Sequence, residues 1–278
     1  MENQITLARK ISFDGIGLHS GKKVTMTLNP APIDHGIRFV RADLPSRPQI
    51  RACAENVTAT LRATTLEENG VKVFTVEHLM SAFHALKIDN CLVELNQEEP
   101  PVADGASQIF FELIQQAGFE KQSAERKTIV IDKIYREDVF EENERKFIMI
   151  LPYDGFRVSF TSLNPHKLVG IQYQDFEITP EVYGREIAPA RTIAYEKEIA
   201  ALKSMGLGIG GTLENVIVYN DEKWLNSLRF PDELVRHKIL DVIGDLRLLG
   251  IIRGHVIAVA SGHALNTKLA KKIAESIS

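Results

Sequence analysis

The chain has 278 residues, 44% hydrophobic and 25% charged, the balance of a globular protein with one large domain or two ordinary ones. Its net charge of −4 argues against a broad basic field for nucleic acid. No stretch approaches the ~18 apolar residues of a spanning helix. The start, MENQITLARKISFDGIGLHSGKK, lacks the basic-then-apolar order of a secretory signal, so a cytoplasmic protein without stable membrane insertion is expected. Cys53 and Cys91 form no C-x-x-C pair and read as free thiols of a reducing compartment.

The first third reads as short alternating strands at Ile5–Ser12, Lys23–Asn29 and Gly36–Arg41, broken by Gly-Leu-His-Ser-Gly and Asn-Pro-Ala-Pro. Another strand is expected at Val71–Phe74. Thr75 is placed to cap a helix from Val76 to about Leu86. Cys91–Leu95 returns as a strand, and Asp104-Gly-Ala-Ser opens a helix over Gln108–Ala117. The polar stretch Glu120–Lys127 is the expected linker, dividing domains at 1–120 and 128–278.

Strands follow at Thr128–Lys133, Lys146–Leu151, Arg157–Thr161 and Gln172–Ile178. A helix over Tyr195–Met205 runs into the glycine-rich Gly206–Gly211, then a strand at Val216–Tyr219. Pro231 and Asp232 start the longest helix, to about Leu249. Arg253–Ala260 is a strand and Leu265–Ser276 a final helix. Each half thus reads as strands, then helix, strand, helix. Val76-Glu-His-Leu and Val235-Arg-His-Lys each put a histidine early in a helix that leads to a strand. This pattern predicts an internal duplication, with two α+β domains bringing the histidine helices together.

The helix Pro231–Leu249 carries the most information. It is largely apolar and should be buried, yet His237, Asp241 and Asp245 recur at i, i+4 and i+8 on one face. Gly244 beside that stripe allows close approach. A carboxylate in an apolar element is costly unless paired or bound to a cation. Spacing alone fits either a His–Asp ion pair or a metal site using imidazole nitrogen and carboxylate oxygen. A third ligand could be His78, with Glu77 beside it as a base or as an ordinary surface glutamate. His84 reads as a partly exposed or satisfied core histidine rather than a ligand, and His35, His166 and His255 as turn or surface residues, with His19 the exception in its glycine-flanked loop. His263, in Ser-Gly-His-Ala-Leu-Asn, could stabilise an oxyanion or cap a helix, with Asp245 the nearest candidate partner.

Leu18-His-Ser-Gly-Lys-Lys, Thr75-Val-Glu-His-Leu, Ala103-Asp-Gly, Ala190-Arg-Thr, Gly210-Gly-Thr-Leu-Glu-Asn, Val235-Arg-His-Lys-Ile-Leu-Asp-Val-Ile-Gly-Asp-Leu and Ser261-Gly-His-Ala-Leu-Asn stand in order. The set resembles the UDP-3-O-acyl-N-acetylglucosamine deacetylases, zinc enzymes of lipid A biosynthesis, from about Ile5 to Ile273. The resemblance implies two similar α+β domains whose helices are sandwiched between two outer sheets. It implies that His78, His237 and Asp241 hold Zn2+, with Fe2+ an acceptable substitute for such a ligand set. It assigns Glu77 as general base, His263 as catalytic histidine oriented by Asp245, and Thr192 as a hydroxyl donor to the oxyanion. It places Lys238 near the phosphate or sugar of a UDP-linked acylated amino sugar. A fatty-chain passage is implied within about 190–211, with Ile193, Tyr195, Leu202 and Gly210 at the substrate. The chain departs from the family where phenylalanines commonly follow Arg-Thr; Ile193 and Tyr195 stand there instead. A monomeric, monofunctional enzyme is expected.

Two other readings compete. A zinc amidase for a different N-acyl sugar or a peptide would use the same metal constellation, but a peptidase has no need of a partner for an anionic phosphate, such as Lys238, beside a greasy channel. A non-catalytic sugar-nucleotide sensor would tolerate losses among Glu77, His78, His237, Asp241 and His263, which are all intact.

Overall fold

The computed structural model describes residues 2–141 and 144–277. The expected first strand is two, β1 (Asn3–Leu7) and β2 (Ile11–Ile16), because Ala8-Arg9-Lys10 breaks the run. β3 (Lys23–Pro30) and β4 (Ile37–Arg41) follow the alternating pattern. β5 (Gln49–Arg51), β6 (Val57–Ala59) and β7 (Thr65–Glu68) are too short to leave a readable period. β8 (Val71–Phe74) leads into α1 (Glu77–Ala85), β9 (Cys91–Leu95) and α2 (Gln108–Ala117). Thr75 does not cap α1. Its backbone is left-handed, with φ 58°, and its hydroxyl donates to Glu99 at 2.9 Å.

The stretch expected to be a linker is a strand, β10 (Phe119–Glu125), paired antiparallel with β1. Its polarity hid it. The ladder is built by backbone, and Gln122 adds amide bonds to the Ala31 carbonyl at 2.9 Å and the Asn90 side chain at 2.7 Å. Next come β11 (Thr128–Val130), β12 (Tyr135–Glu141), β13 (Glu144–Leu151), β14 (Phe156–Leu163) and β15 (Ile171–Glu177). A short α3 (Pro180–Val182) precedes β16 (Ile193–Tyr195), α4 (Glu196–Ser204) and β17 (Ile217–Tyr219). The chain closes with α5 (Glu233–Leu246), β18 (Ile251–Val259) and α6 (His263–Ile277). At 15 residues α6 is one residue longer than α5, because Arg247–Leu249 tightens into a 3-10 turn.

Two sheets share one plan. The first has the order β2-β3-β9-β4-β5 and the second β12-β13-β18-β14-β15, with β11 also beside β18. In each, a central pair is parallel, β4 with β9 and β14 with β18, and the strands flanking that pair are antiparallel; β11 adds a second parallel partner to β18 in the second sheet. In each, helix, strand and helix follow in sequence, and the strand enters the middle of the sheet. The fold is therefore α+β with two similar halves, as the paired histidine motifs suggested. Inside, α1 packs on α5 and α2, α5 lies against β14 and β15, and α6 against β12 and β13. One apolar core runs through both sheets and these helices. No helix among the described residues is long and apolar enough to cross a membrane. Cys53 and Cys91 are free thiols, Cys91 buried.

Candidate metal centre and catalytic cluster

α1 is buried along its whole length, so its first two residues, Glu77 and His78, lie inside the molecule. α5 is nearly as buried and crosses it at Gly244. A Cβ at Gly244 would stand 2.7 Å from the carbonyl carbon of Glu77 and nearer still to its oxygen, so only glycine permits this approach. The close crossing sets the first turn of α1 opposite His237 and Asp241.

His78 Nε2 lies 3.9 Å from Asp241 Oδ1, and His237 Nε2 lies 3.4 Å from the same oxygen. The three ligand atoms fall within 4.8 Å of one another, and the two imidazoles meet edge-on at 5.0 Å. Burial pushes His78 down to about 3, with His237 as the next cause, and burial lowers His237 as well. Both rings are thus pushed toward the neutral form, in which each carries a lone pair. His237 Nδ1 donates to the Ala190 carbonyl at 3.0 Å, which leaves Nε2 as the free donor atom. Asp241 stays ionised: burial opposes its charge, but His237, Lys238 and His263 outweigh it. Its Oδ2 accepts from Lys238 Nζ at 2.8 Å, while its Oδ1 is buried without a hydrogen-bond partner. A buried carboxylate oxygen that faces two imidazole nitrogens without a hydrogen bond to either is a donor set that could hold a metal ion.

Around it lies an acid–base cluster. Burial, then Asp245 and Asp241, raise Glu77 to about 7 against the opposing pull of His263; its Oε2 accepts the Thr64 N–H at 3.0 Å. His263 is the first residue of α6. Burial works against its charge, yet Asp245 and Asp241 raise it to about 10. Its Nδ1 donates to Asp245 Oδ2 at 2.9 Å, and its Nε2 lies 3.9 Å from Glu77 Oε1. Asp245 is fully buried and also accepts from Asn266 Nδ2 at 2.9 Å and the Thr64 hydroxyl at 2.5 Å. Two ionisable groups near 7 and 10, side by side, suit a base and an acid at neutral pH.

All of this opens on one cavity of about 950 Å³. Glu77, His78, Thr192, Ile193, Tyr195, Leu202, His237, Lys238, Asp241 and His263 line it. Asp245 stands behind His263. Gly210 is not in the wall; a Cβ there would collide with the Gly17 carbonyl, so it serves close packing against the Gly17–Gly21 loop. His19 lines the cavity from that loop, accepting the Gly208 N–H at Nδ1 (3.2 Å). His166 lies tilted against Tyr195 at 5.6 Å and edge-on to Tyr219 at 5.0 Å. The sequence reading missed Thr64, which bonds both acidic groups from a loop with no motif. Asn266 lay in plain view, three residues after His263 in the first turn of α6.

A family model described as LpxC, UDP-3-O-acyl N-acetylglycosamine deacetylase, matches residues 4–275. The UDP-3-O-acyl-N-acetylglucosamine deacetylase of Marinobacter nauticus is 46% identical over 280 residues, covering 98% of this chain and 90% of its own. That of Myxococcus xanthus is 46% identical over 274 residues, with 98% and 86% covered. That of Chlamydia felis is 43% identical over 278 residues, with 99% and 98% covered. With the histidine helices, the buried ligand set and the matched length all in agreement, the chain belongs to the LpxC family of UDP-3-O-acyl N-acetylglycosamine deacetylases.

Proposed function

We propose that this protein is a zinc-dependent hydrolase that cleaves the acetamide of UDP-3-O-acyl-N-acetylglucosamine, releasing acetate and the free 2-amino sugar for lipid A biosynthesis in the cytoplasm. The observation that carries the reading is the unpaired Asp241 Oδ1 facing His78 and His237 at the floor of the cavity. His78, His237 and Asp241 would hold Zn2+, or Fe2+ in its place. The bound cation would supply Lewis acidity to the acetamide carbonyl and acidify water to about 7.

Glu77, raised to about 7, takes the proton from the attacking water. The Thr192 hydroxyl donates to the oxygen on which charge develops. His263, held cationic by Asp245, donates to the departing amine. Lys238, kept charged by Asp241 against its burial, faces the anionic part of the substrate. Ile193 and Leu202, with Leu207 beside them in the wall, supply apolar surface for the acyl chain within 190–211, and Tyr195 flanks the sugar. The domain division at 1–120 and 128–278 belongs to the same proposal: it places one histidine helix in each part.

The test is acetate release from UDP-3-O-acyl-N-acetylglucosamine by the purified protein, before and after chelation and zinc repletion. Release abolished by chelation and restored by zinc supports metal, reaction and substrate together. A protein that binds one equivalent of zinc but releases no acetate would transfer the reading to another N-acyl substrate.

A further inference from the structure

The peptide unit joining Ala190 to Arg191 is held from both ends by side chains of α5. Its carbonyl accepts His237 Nδ1–H at 3.0 Å, and its N–H donates to Glu233 Oε1 at 3.0 Å. Glu233 and His237 are four residues apart, one above the other on the same helix face. One rigid peptide plane thus lies between them. We propose that Glu233 is a positioning residue for the metal site, acting on His237 through this peptide.

Glu233 is 1% exposed and ties down the surrounding chain as well. Its Oε1 also accepts Arg191 Nε at 2.9 Å, and its Oε2 accepts the Arg229 N–H at 2.6 Å. The Arg191 guanidinium is itself buried and donates to the Ser227 carbonyl at 2.7 Å. A lone buried carboxylate is costly, and Arg191 neutralises it. What remains is directional: a charge on the N–H side of a peptide polarises the carbonyl on the other side. The stronger acceptor holds the imidazole in its Nδ1–H tautomer and makes Nε2 a better ligand. Metal-binding histidines commonly donate to a carboxylate directly; here a peptide is interposed. The same peptide leads straight into Thr192, so the brace also sets where that hydroxyl begins.

The inference rests on the metal reading of His237 above. Breaking the ion pair alone would strand a buried charge, so the informative variants are neutral pairs. Glu233→Gln with Arg191→Met keeps an acceptor for the Arg191-position N–H and removes the charge. Glu233→Leu with Arg191→Met removes the acceptor too. Apolar replacement of a buried pair is often neutral for stability, and thermal unfolding checks this. Zinc affinity is measured by competition with a chromophoric chelator, and the His237 tautomer by nitrogen chemical shifts of the metal-free protein. The expected result is a stepwise loss, with the Leu–Met pair weakened about 10–100-fold and His237 losing its single tautomer. A folded Leu–Met protein with wild-type zinc affinity and an unchanged His237 tautomer would overturn the inference. Failure of the wild type to bind zinc would instead overturn the metal reading, and the tautomer measurement would still decide the role of Glu233.

Discussion

Replacing Gly244 with alanine puts a methyl group where α1 and α5 touch. A Cβ there stands 2.7 Å from the carbonyl carbon of Glu77 and 3.0 Å from its Cα. Those are backbone atoms with no rotamer to turn away, and ordinary contact begins at 3.4 Å. The start of α1 must therefore move by roughly 1 Å, since a close-packed interior has no slack to absorb it. On an exposed helix the same change would stabilise by about 1 kcal/mol through propensity. Here overpacking costs about 1–3 kcal/mol, so the net effect is a loss of up to about 2 kcal/mol. The larger effect is expected on activity, because the displaced carbonyl belongs to the peptide between the proposed base, Glu77, and the proposed metal ligand, His78. A misplacement of about 1 Å costs on the order of 10²-fold in rate. Acetate release, zinc affinity and thermal unfolding should be measured on the same preparation. The expected variant turns over about 10²-fold slower, binds zinc more weakly and unfolds several degrees lower. A variant that melted higher than wild type and kept its zinc affinity and rate would refute the close-approach argument.

Glu77→Gln keeps an acceptor for the Thr64 N–H and should retain zinc while losing about 10²–10⁴-fold in turnover; full activity would remove Glu77 as the base. Zinc should raise the melting temperature, by about 2.7 kcal/mol of stability at a hundredfold excess over the dissociation constant. His237→Ala should abolish that shift in a calorimetric titration, and an undiminished shift would place the metal elsewhere. His84 gives a pH prediction away from the metal. Burial, then the nearby Arg247 and Lys87 cations, push it down from 6.5 to about 3, and it rests against Phe156 at 4.4 Å. A lowered value means that the unfolded chain takes up the proton first. The stability is therefore intact above 6.5 and is lost as pH falls toward 3, at about 1.4 kcal/mol per unit. Denaturant unfolding of His84→Leu should lose less stability than wild type between pH 7 and 5, by about 2 kcal/mol; parallel curves would contradict it.

The helices that carry chemistry were legible because burial conflicts with polarity on them. An apolar helix bearing His237, Asp241 and Asp245 at one-turn spacing announces that its charges meet something. Strands with long apolar alternation, such as Lys23–Pro30, were legible for the ordinary reason of period. β10 was not, because its side chains face water or bond to amides and its partner β1 lies over a hundred residues away. Thr75 misled for a related reason: its hydroxyl serves Glu99 rather than the helix it precedes. The groups that hold the site in place were the least visible. Thr64, the Ala190 carbonyl and Glu233 bond through loop or main-chain groups that carry no motif, and a backbone acceptor leaves no letter in the sequence.

The repeated plan of the two halves divides the candidate ligand set between them. α1 and α5 occupy equivalent places, each the first helix of a helix–strand–helix run, and His78 and His237 stand at equivalent positions in their motifs. From there the copies differ. At four and eight residues beyond His237 stand Asp241 and Asp245; beyond His78 stand Ala82 and Leu86, both buried and apolar. The residue before each histidine differs too. Glu77 faces the cavity, whereas Arg236 turns to Asp232 and Glu186 at 2.7 and 2.6 Å. One helix thus carries the acid proposed to hold a cation and the one that bonds His263, and the other carries the proposed base and a single imidazole. Had both helices kept acids, their close crossing at Gly244 would crowd like charges in an interior that cannot solvate them. Had neither, two neutral imidazoles would be a poor site for a divalent cation. The asymmetry makes each half incomplete, so the chemistry depends on the packing of α1 against α5.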